Sequence, residues 1–303
     1  MILFVALLLI PWLLPAYGLQ VAIEAAILAI FALSFNFLFH QTGLLSFGHA
    51  AFYGASAYAT ALLMSKLGWP YLATLPFSLC VSALLALVVG FFSVRLTRIY
   101  FTMLTLAFAQ ILWAIVHKWY AFTGGDNGIT GLRFTGVLAN ATFLYYLGLV
   151  LLAVAAGVIF VVARSPAGYT LRAVRDNPAR AEAIGISPFE YAVGAFVLSG
   201  ALTGLAGFLQ AAWQRSAFPD LLYWTTSAEV IIATILGGSR YFLGPVVGAI
   251  VLVVVEAIVR SHTEYWPLAL GIVLLALVLF FPAGVIGLFG AHERKQRRGD
   301  AAA

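Results

Sequence analysis

Charged side chains are scarce in this sequence: Asp, Glu, Lys and Arg make up 9% of its 303 residues, whereas hydrophobic residues make up 63%. Ordinary soluble domains contain about 25% charged residues. Charge is completely absent from four long windows, at residues 67–94, 141–163, 191–214 and 265–291. Each window is long enough to cross a bilayer core as a helix, which takes about 20 residues. The composition therefore excludes an ordinary soluble domain and predicts an all-α polytopic membrane protein.

Groups for metal, redox and nucleotide chemistry are scarce as well. The one cysteine, Cys80, permits no internal disulfide and no thiolate metal site, and we expect it to pack inside an apolar helix. The five histidines show no metal-ligand spacing, and the sequence has no nucleophile-elbow pattern. Glycine is never followed by lysine, so there is no P-loop for nucleotide phosphates. We therefore predict that the chain is not an enzyme, has no catalytic residues and binds no metal or cofactor itself.

The formal net charge of +5 reflects membrane topology and does not indicate nucleic-acid binding. Counting membrane segments back from the basic stretch HERKQRR near the end of the sequence places eleven of the 16 Lys and Arg residues on the side of that stretch. Because Lys and Arg concentrate in cytoplasmic loops, both termini and the loop at residues 164–187 are predicted to be cytoplasmic.

The apolar pattern divides the chain into a transmembrane domain, residues 1–290, and a basic cytoplasmic tail, residues 291–303. The first apolar segment lacks a basic start and runs directly into more apolar sequence, which favours a retained helix over a cleaved signal peptide. About eight to ten transmembrane or half-membrane helices are predicted, with spans at residues 2–16, 19–39, 43–64, 70–94, 99–118, 142–163, 188–212, 242–260 and 265–289.

Two short segments interrupt the apolar pattern with glycine. The first is GLLSFGHAAFYGASAY at residues 43–58, and the second is IIATILGGSRYFLGP at residues 231–245, which predicts a half-helix, a break and a re-entering helix. Broken helices in two halves of a chain are typical of internal repeats that meet at a pathway near the membrane midplane. The alternative is that these glycines only permit close helix packing, as is expected elsewhere for the pairs Gly200/Gly204 and Gly244/Gly248.

The most polar stretch of the transmembrane domain is RDNPARAEAIGISP at residues 175–188, within the loop at 164–187. Asn177 is a favourable N-cap, and Pro178 suits the first position of a helix, where its missing N–H costs nothing. Gly185 supplies the left-handed conformation that ends a helix. The loop is therefore predicted to contain a short helix with both ends specified locally.

The span that follows this short helix has its own start signal, since Ser187 and Glu190 form a capping box around a proline. The short helix, residues 177–185, is too polar to enter the bilayer and too short to fold alone. Two interpretations remain open from the residues. The helix either rests on lipid headgroups through its arginines or docks a separate cytoplasmic protein.

Polar residues inside apolar spans are candidates for a pathway across the membrane, because burying them in lipid costs free energy. Glu24 is the most conspicuous, although it could instead lie at the outer interface. His49 could instead be a hydrogen-bonded packing residue, and Gln110 is expected to bond across helices. The full set of pathway candidates is Glu24, Asn36, Ser46, Gly48, His49, Gln110, Gly237 and Gly238.

Five blocks of sequence, taken in order, resemble the permeases of the branched-chain amino-acid family of ABC importers, and in particular their M-type subunit. The blocks are GLLSFGHAAFYGASAYATALL, RIYFTMLTLAFAQILW, TGGDNGITGL, RDNPARAEAIGISPFEYAVGAFVLSGALTGLAGFL and ILGGSRYFLGPVVGAIVL. The likeness covers most of the chain. The sequence departs from the family pattern at residues 44–47, where relatives often have Gln-Leu-Ser-Leu. It also departs at residues 181–183, where Ala-Glu-Ala replaces the Glu-Ala-Ala of the coupling signature.

By this resemblance, the chain and a second permease subunit form a membrane pathway for branched-chain or other hydrophobic amino acids. Two cytoplasmic ATPase subunits, which bind ATP and Mg, would dock on the short helix, and an extracytoplasmic binding protein would deliver the substrate. The resemblance implies location in a bacterial or archaeal inner membrane, surrounded by lipid. It assigns ATPase coupling to Arg175, Asp176, Asn177, Arg180, Glu182, Ala183 and Gly185.

Two other functions stay open from the sequence. An importer of urea or short amides would have a permease of closely similar sequence. An ion-coupled secondary transporter would use Glu24 as its proton or sodium site, but would leave the short helix at 177–185 without a role.

Overall fold

The computed structural model describes residue 11, residues 15–134 and 136–262, and the positions 265, 268, 271, 272, 275 and 284–287. Most of the predicted spans 2–16 and 265–289, and the whole predicted tail at 291–303, lie outside the described residues. The described chain forms helices joined by turns, with one isolated antiparallel bridge between Ile129 and Ala217.

Eleven α-helices account for most of the described residues. They are α1 (Ala16–Thr42), α2 (His49–Leu67), α3 (Leu75–Ser93), α4 (Arg98–Lys118), α5 (Tyr120–Thr123), α6 (Ala141–Arg164), α7 (Pro166–Asp176), α8 (Pro178–Ala183), α9 (Pro188–Gln214), α10 (Trp224–Gly237) and α11 (Gly244–His262). Short 3-10 helices lie in the connections, at Tyr71–Thr74, Gly125–Asn127, Gly136–Ala139 and Pro219–Leu222.

Six helices of the described chain are long and apolar enough to cross a membrane: α1, α3 with the 3-10 turn before it, α4, α6, α9 and α11. The 14-residue α10 is a shorter apolar helix. Together with α2, which packs against α3 and α9, it brings the bundle to eight helices within the described residues. The prediction of an all-α polytopic membrane protein is confirmed.

The centre of the bundle is formed by α1 and α9. Their most apolar stretches are 83% and 72% buried inside the protein, whereas those of α3, α4 and α6 are 28%, 17% and 22% buried. A helix that is apolar on every side belongs in the middle of a bundle. The apolar outer faces of α3, α4 and α6 are then left for lipid or another subunit.

Both predicted interruptions are present, but the first has different boundaries. Residues 43–48 are not helical, and α2 begins at His49, not at residue 43. α2 continues through Gly54 without a break. The missing side chain of this glycine makes room for Leu222, which a Cβ atom at position 54 would overlap. In the second interruption, α10 ends at Gly237 and α11 begins at Gly244, as predicted.

The bundle has two ends that differ in their basic residues. At the end that carries α7 and α8, called the inner end here, the guanidinium groups of Arg172 and Arg175 reach the last turn of α1. At the opposite, outer end, Lys66 donates to the carbonyls of residues 121 and 122, and Arg215 donates to that of residue 139. The residues predicted to face opposite sides of the membrane are thus at opposite ends. Which end faces the cytoplasm stays a prediction.

Small residues let α9 approach α3 closely, as the glycine pairs predicted. A Cβ atom on Gly200 would overlap Ala86, and one on Gly204 would lie 2.7 Å from the hydroxyl of Ser82, so α9 packs directly on α3. The expectation for Cys80 is wrong, since this side chain is exposed on α3. Cys80 has apolar neighbours in the sequence, but such neighbours occur both on a helix face that points away from the bundle and on one that packs inside it. The sequence does not distinguish the two.

Candidate functional site

The inner-end segment at residues 165–187 contains two helices, α7 and α8, where one was predicted. Each of the three helix starts in this region has the same chemistry, a capping side chain followed by proline. Ser165 accepts from the N–H of residue 168 and Asn177 from that of residue 180 at 3.0 Å. Ser187 accepts from the N–H of residue 190. The missed helix α7 could have been found from Ser165-Pro166, because it repeats the signal that was recognised at Asn177-Pro178.

The end of α8 confirms the role predicted for Gly185. This residue has a φ of 84°, and its N–H bonds the carbonyl of Glu182 at 2.9 Å. The N–H of Ile186 reaches back to the carbonyl of Ala181 at 3.0 Å. The pair of bonds satisfies carbonyl groups that a helix end otherwise leaves open. Ala181 is buried at 3% exposure, so α8 has one packed side and one free side.

The predicted coupling residues fall into two groups. Most of them lie on the exposed surface of the segment beside Ile184, whose side chain is 71% exposed: Asp176, Asn177, Arg180, Glu182, Ala183 and Gly185. Arg175 differs, because its guanidinium donates to the carbonyl of His40 in the last turn of α1. The exposed residues therefore surround one large apolar side chain, that of Ile184.

Two arginines of α7 fix this segment to the end of α1. Arg175 packs its aliphatic chain over Gly43, which has a φ of 73° and on which a Cβ atom would lie 3.2 Å from Arg175 Cγ. Arg172 donates to the side-chain oxygen of Gln41 at 3.3 Å and to the carbonyl of Ala163 at 3.0 Å. Cations near the carbonyl end of a helix satisfy its open acceptors and interact favourably with its dipole. The segment is therefore held to both α1 and α6.

A groove of about 850 Å³ runs beside the segment at the inner end. One wall is formed by α7 and α8, and the facing wall by the turn between α3 and α4. Charged and aromatic side chains on its rim include Arg95, Tyr100, Glu182 and Phe189, and Arg95 lies over the ring of Phe189 at 5.0 Å. The groove adjoins two of the predicted coupling residues, Arg175 and Glu182.

The first interruption leads directly into the protein core. The N–H of Phe47 bonds the hydroxyl of Thr105, and the hydroxyl of Thr102 bonds the carbonyl of residue 45, so α4 supplies partners for the non-helical backbone. Gly48 is needed for this approach, because a Cβ atom there would lie 3.0 Å from the carbonyl of Thr105. The hydroxyl of Ser46 accepts from the N–H of Gly48 at 3.1 Å.

His49 lies at the start of α2 and is completely buried. Its Nε2 lies 2.8 Å from the hydroxyl of Ser199, and that hydroxyl donates to the carbonyl of Ser34 at 2.7 Å. Because the hydroxyl proton is already donated, His49 Nε2 carries the proton of the first bond. The ring is surrounded by the edges of three phenylalanines, at positions 35, 52 and 196. The geometry places His49 as a packing residue that joins α2, α9 and α1, not at an open surface.

Replacing Ser199 with alanine is expected to lower the melting temperature of the purified chain by about 4–8 °C. The variant leaves the buried Nε2–H of His49 without a partner, which costs about 2 kcal/mol. Ser261→Ala serves as the control, since the hydroxyl of Ser261 is exposed. Thermal unfolding followed by size-exclusion fluorescence measures both. Equal melting temperatures for the two variants would show that the His49–Ser199 bond contributes little.

Carboxylates from three helices lie near one another in the outer half of the bundle. Glu24 of α1 and Glu229 of α10 both interact electrostatically with Glu256 of α11. Glu256 forms an ion pair with Arg260, four residues on, as predicted. The sequence analysis did not include Glu229 among the pathway candidates. Glu229 comes near Glu24 only because α1 and α10 pack together. Ionisable residues within a bundle mark hydrated regions, because lipid contact is costly.

The expectation that Gln110 bonds across helices is wrong. Its side-chain nitrogen is buried but has no hydrogen-bond partner among the described residues. One turn away, the indole nitrogen of Trp113 is also buried without a partner, and the ring of Trp113 lies 5.2 Å from that of Tyr223. α4 is the least buried of the six candidate spans. Polar side chains on α4 therefore have few neighbouring residues with which to form hydrogen bonds.

Three further pathway candidates meet at the inner end. Asn36 of α1 lies in the wall of a small cavity of about 150 Å³, and residues 239–242 of the α10–α11 turn form the facing wall. Gly238 has a φ of 102° and starts that turn. Gly237 has a packing role, because a Cβ atom there would overlap the carbonyl of Gly244.

The pathway candidates therefore occupy four separate places: the outer carboxylate region, the buried start of α2, the position of Gln110 on α4 and the inner cavity. No group of three or more potential metal ligands occurs among the described residues.

Comparison with known proteins gives a consistent result. The family model described as branched-chain amino acid transport system / permease component matches residues 17–282. The high-affinity branched-chain amino acid transport system permease protein LivM of Salmonella typhimurium is 29% identical, over 91% of this chain and 71% of that protein. LivM of Escherichia coli is 28% identical over the same shares. The probable branched-chain amino acid transport permease protein LivH of Methanocaldococcus jannaschii is 29% identical over 60% of this chain and 58% of that protein.

Proposed function

Because the chain belongs to the family of permease components of branched-chain amino acid transport systems, we propose that it is a permease subunit of an ATP-driven importer. In this role it forms part of the membrane pathway for branched-chain or other hydrophobic amino acids. The names of the relatives favour amino acids over urea or short amides. The family also removes the ion-coupled secondary transporter from consideration.

The observation that carries the proposed mechanism is the inner-end segment with its two sides. One side is held to α1 and α6 by Arg172 and Arg175, and the other exposes Glu182, Ala183 and Ile184. Because α7 is braced against the bundle and α8 has a free outer face, the segment can transmit a push as a rigid body. Two cytoplasmic ATPase subunits, which bind ATP and Mg, would supply that push by docking on α8.

The displacement of α8 has two routes into the bundle. The first runs through Gly185 and the capped start of α9. The second runs through α7, whose arginines hold the last turn of α1. Because α1 and α9 are the two central helices, both routes end in the core of the bundle.

The remaining partners follow from the same proposal. A second permease subunit completes the pathway, and the apolar outer faces of α3, α4 and α6 offer it a surface or face lipid. An extracytoplasmic binding protein delivers the substrate at the outer end. The protein is a multi-pass membrane protein, and we place it in a bacterial or archaeal inner membrane with both termini in the cytoplasm.

The proposal is tested by replacing Pro178–Ala183 with six Gly and Ser residues in a chain expressed with its neighbouring genes. Wild-type cells should take up labelled leucine in an ATP-dependent manner, and an ATPase should purify with the chain. The replacement should reduce uptake by at least about tenfold and release the ATPase, while the chain remains in the membrane. Uptake that survives the replacement would contradict docking on α8, and a wild-type chain without ATP-dependent uptake would contradict the importer.

A pair of asparagine variants gives a graded version of this test. Asn177→Ala removes the N-cap of the six-residue α8, and Asn140→Ala removes the N-cap of the 24-residue α6. Each cap contributes about 1 kcal/mol. The loss should reduce leucine uptake several-fold only for Asn177→Ala, because a helix of six residues depends on its cap far more than a long span does. Equal uptake by the two variants would show that the order of α8 does not limit transport.

A further inference from the structure

A small cavity at the inner end, called the inner pocket here, lies between α1, α6 and the turn that joins α10 to α11. It has a volume of about 150 Å³, the size at which an engineered apolar cavity holds a benzene molecule. Apolar side chains form much of its wall, at Leu33, Phe37, Ile159 and Phe242. Two polar side chains that lie far apart in the sequence, Asn36 and Arg240, also line it.

Asn36, whose side chain carries an unsatisfied hydrogen-bond acceptor, is one of the residues that line this pocket. Its side chain is 6% exposed, and its Oδ1 has no hydrogen-bond partner among the described residues. A buried polar atom without a partner costs about 1–3 kcal/mol, and most buried polar atoms in proteins are paired. A rotation of the Asn36 side chain toward the cavity would bring this unpaired acceptor to a ligand that carries an N–H donor.

Arg240 brings a positive charge to the facing wall. It lies in the turn between Gly238 and Gly244, and the three ion pairs identified among the described residues involve other side chains. Its guanidinium group is therefore available to a carboxylate, which it can bind through two parallel hydrogen bonds. No acidic side chain lines the pocket among the described residues.

We propose that the inner pocket is a binding site for a zwitterionic amino acid with an aliphatic side chain. The ammonium group donates to Oδ1 of Asn36, the carboxylate binds Arg240, and the side chain contacts Leu33, Phe37 and Ile159. The inference rests on the proposed function for the choice of ligand, and it adds a site at the end of the pathway where the substrate leaves. Acceptor, cation and apolar wall together match the three parts of such a molecule.

The pocket is joined to the coupling segment by its own wall residues. Arg175 of α7 donates to the carbonyl of His40, and Arg172 donates to the side chain of Gln41 and the carbonyl of Ala163. Each of these three acceptor residues also lines the pocket. A ligand in the inner pocket therefore contacts the same residues that hold α7, so that occupancy and the position of the coupling segment depend on each other.

The test is binding of labelled leucine to the purified full-length chain in lipid nanodiscs, with two analogues as competitors. The analogue 4-methylpentanoate lacks the ammonium group, and 3-methylbutylamine lacks the carboxylate. Asn36→Leu, which is close to isosteric, should weaken leucine binding about tenfold and leave 4-methylpentanoate unchanged. Arg240→Gln should weaken leucine and 4-methylpentanoate about tenfold and leave 3-methylbutylamine unchanged.

Arg164→Gln is the matched control, because Arg164 is at the same end and lies over the ring of Phe160 without lining the pocket. It should bind all three compounds as the wild type does. Wild-type chain without saturable leucine binding would overturn the inference, as would variants that weaken all three compounds equally. Leucine uptake by cells is measured separately. Loss of binding at the pocket with intact uptake contradicts the inner pocket as a binding site and leaves the proposed importer in place. Intact binding without uptake contradicts the importer and leaves the binding site in place.

Discussion

Replacing Gly207 with alanine is expected to lower the melting temperature of the purified chain by about 6–12 °C. Gly207 lies in α9, where a Cβ atom would overlap the backbone carbonyl of Tyr53 and lie 3.0 Å from the Cβ of Ser56. A backbone group cannot rotate away as a side chain can, so α2 and α9 must move apart. Overpacking of a core costs about 1–3 kcal/mol, and contact with backbone places this variant at the upper end.

Gly194→Ala in the same helix is the matched control for this prediction. No atom lies within 4 Å of a Cβ atom built on Gly194. Because alanine is the better helix former by about 1 kcal/mol, this variant should be as stable as the wild type or slightly more stable. A fall in melting temperature of the same size in both variants would indicate a general intolerance of α9, and would contradict the close contact between α2 and α9.

Gly248→Ala is expected to reduce leucine uptake by at least about tenfold and to weaken leucine binding at the inner pocket. Gly248 lies on the face of α11 that touches α10, where a Cβ atom would overlap the carbonyl of Ala233 and lie 2.6 Å from the N–H nitrogen of Gly237. The substitution pushes the two helices apart. Since the turn between them forms one wall of the inner pocket, Arg240 moves away from Asn36.

Ile250→Ala is the control for Gly248→Ala, because Ile250 lies on the exposed side of the same helix at 41% exposure. Its uptake and binding should match those of the wild type. Leucine uptake and binding of labelled leucine are measured on both variants, together with the amount of chain in the membrane. Wild-type binding by Gly248→Ala would show that the contact between α10 and α11 does not set the shape of the pocket.

The helix starts and stops at the inner end illustrate what a single sequence predicts well. Asn177, Gly185 and Ser187 act through hydrogen bonds to backbone groups three residues away. The chemistry of such a cap is complete within a few residues of chain, so it can be recognised without knowing the fold. The same local rule extends to Ser165, whose helix was overlooked although its signal is equally clear.

The spans were predictable for a related reason. The hydrocarbon core of a membrane demands long stretches without charge, and such stretches are visible in composition alone. The predicted spans at 99–118, 142–163 and 188–212 agree with α4, α6 and α9 to within a few residues. The start of α2 was predicted six residues too early, because the non-helical residues 43–48 are as apolar as a helix and receive their hydrogen bonds from α4.

The roles of polar residues were much harder to predict, because their partners are distant in the chain. His49 was recognised as unusual, but its bond to Ser199 joins residues 150 positions apart, and the next bond in the series joins residues 165 positions apart. Glu229 acquires a role only through its neighbours on α1 and α11. Arg175 was assigned to ATPase coupling by resemblance, and in the structure its guanidinium donates to a carbonyl at the end of α1.

The sequence by itself therefore determined the membrane class, most of the spans, the capped helix at the inner end and the family, since each depends on composition or on order along the chain. The tertiary structure decided which polar groups share a site. Asn36 and Arg240 are separated by more than two hundred residues and by several helices, and they face one cavity only because α1 packs beside the turn between α10 and α11. Contacts of that kind depend on helix packing at glycine surfaces, which a hydropathy pattern does not encode.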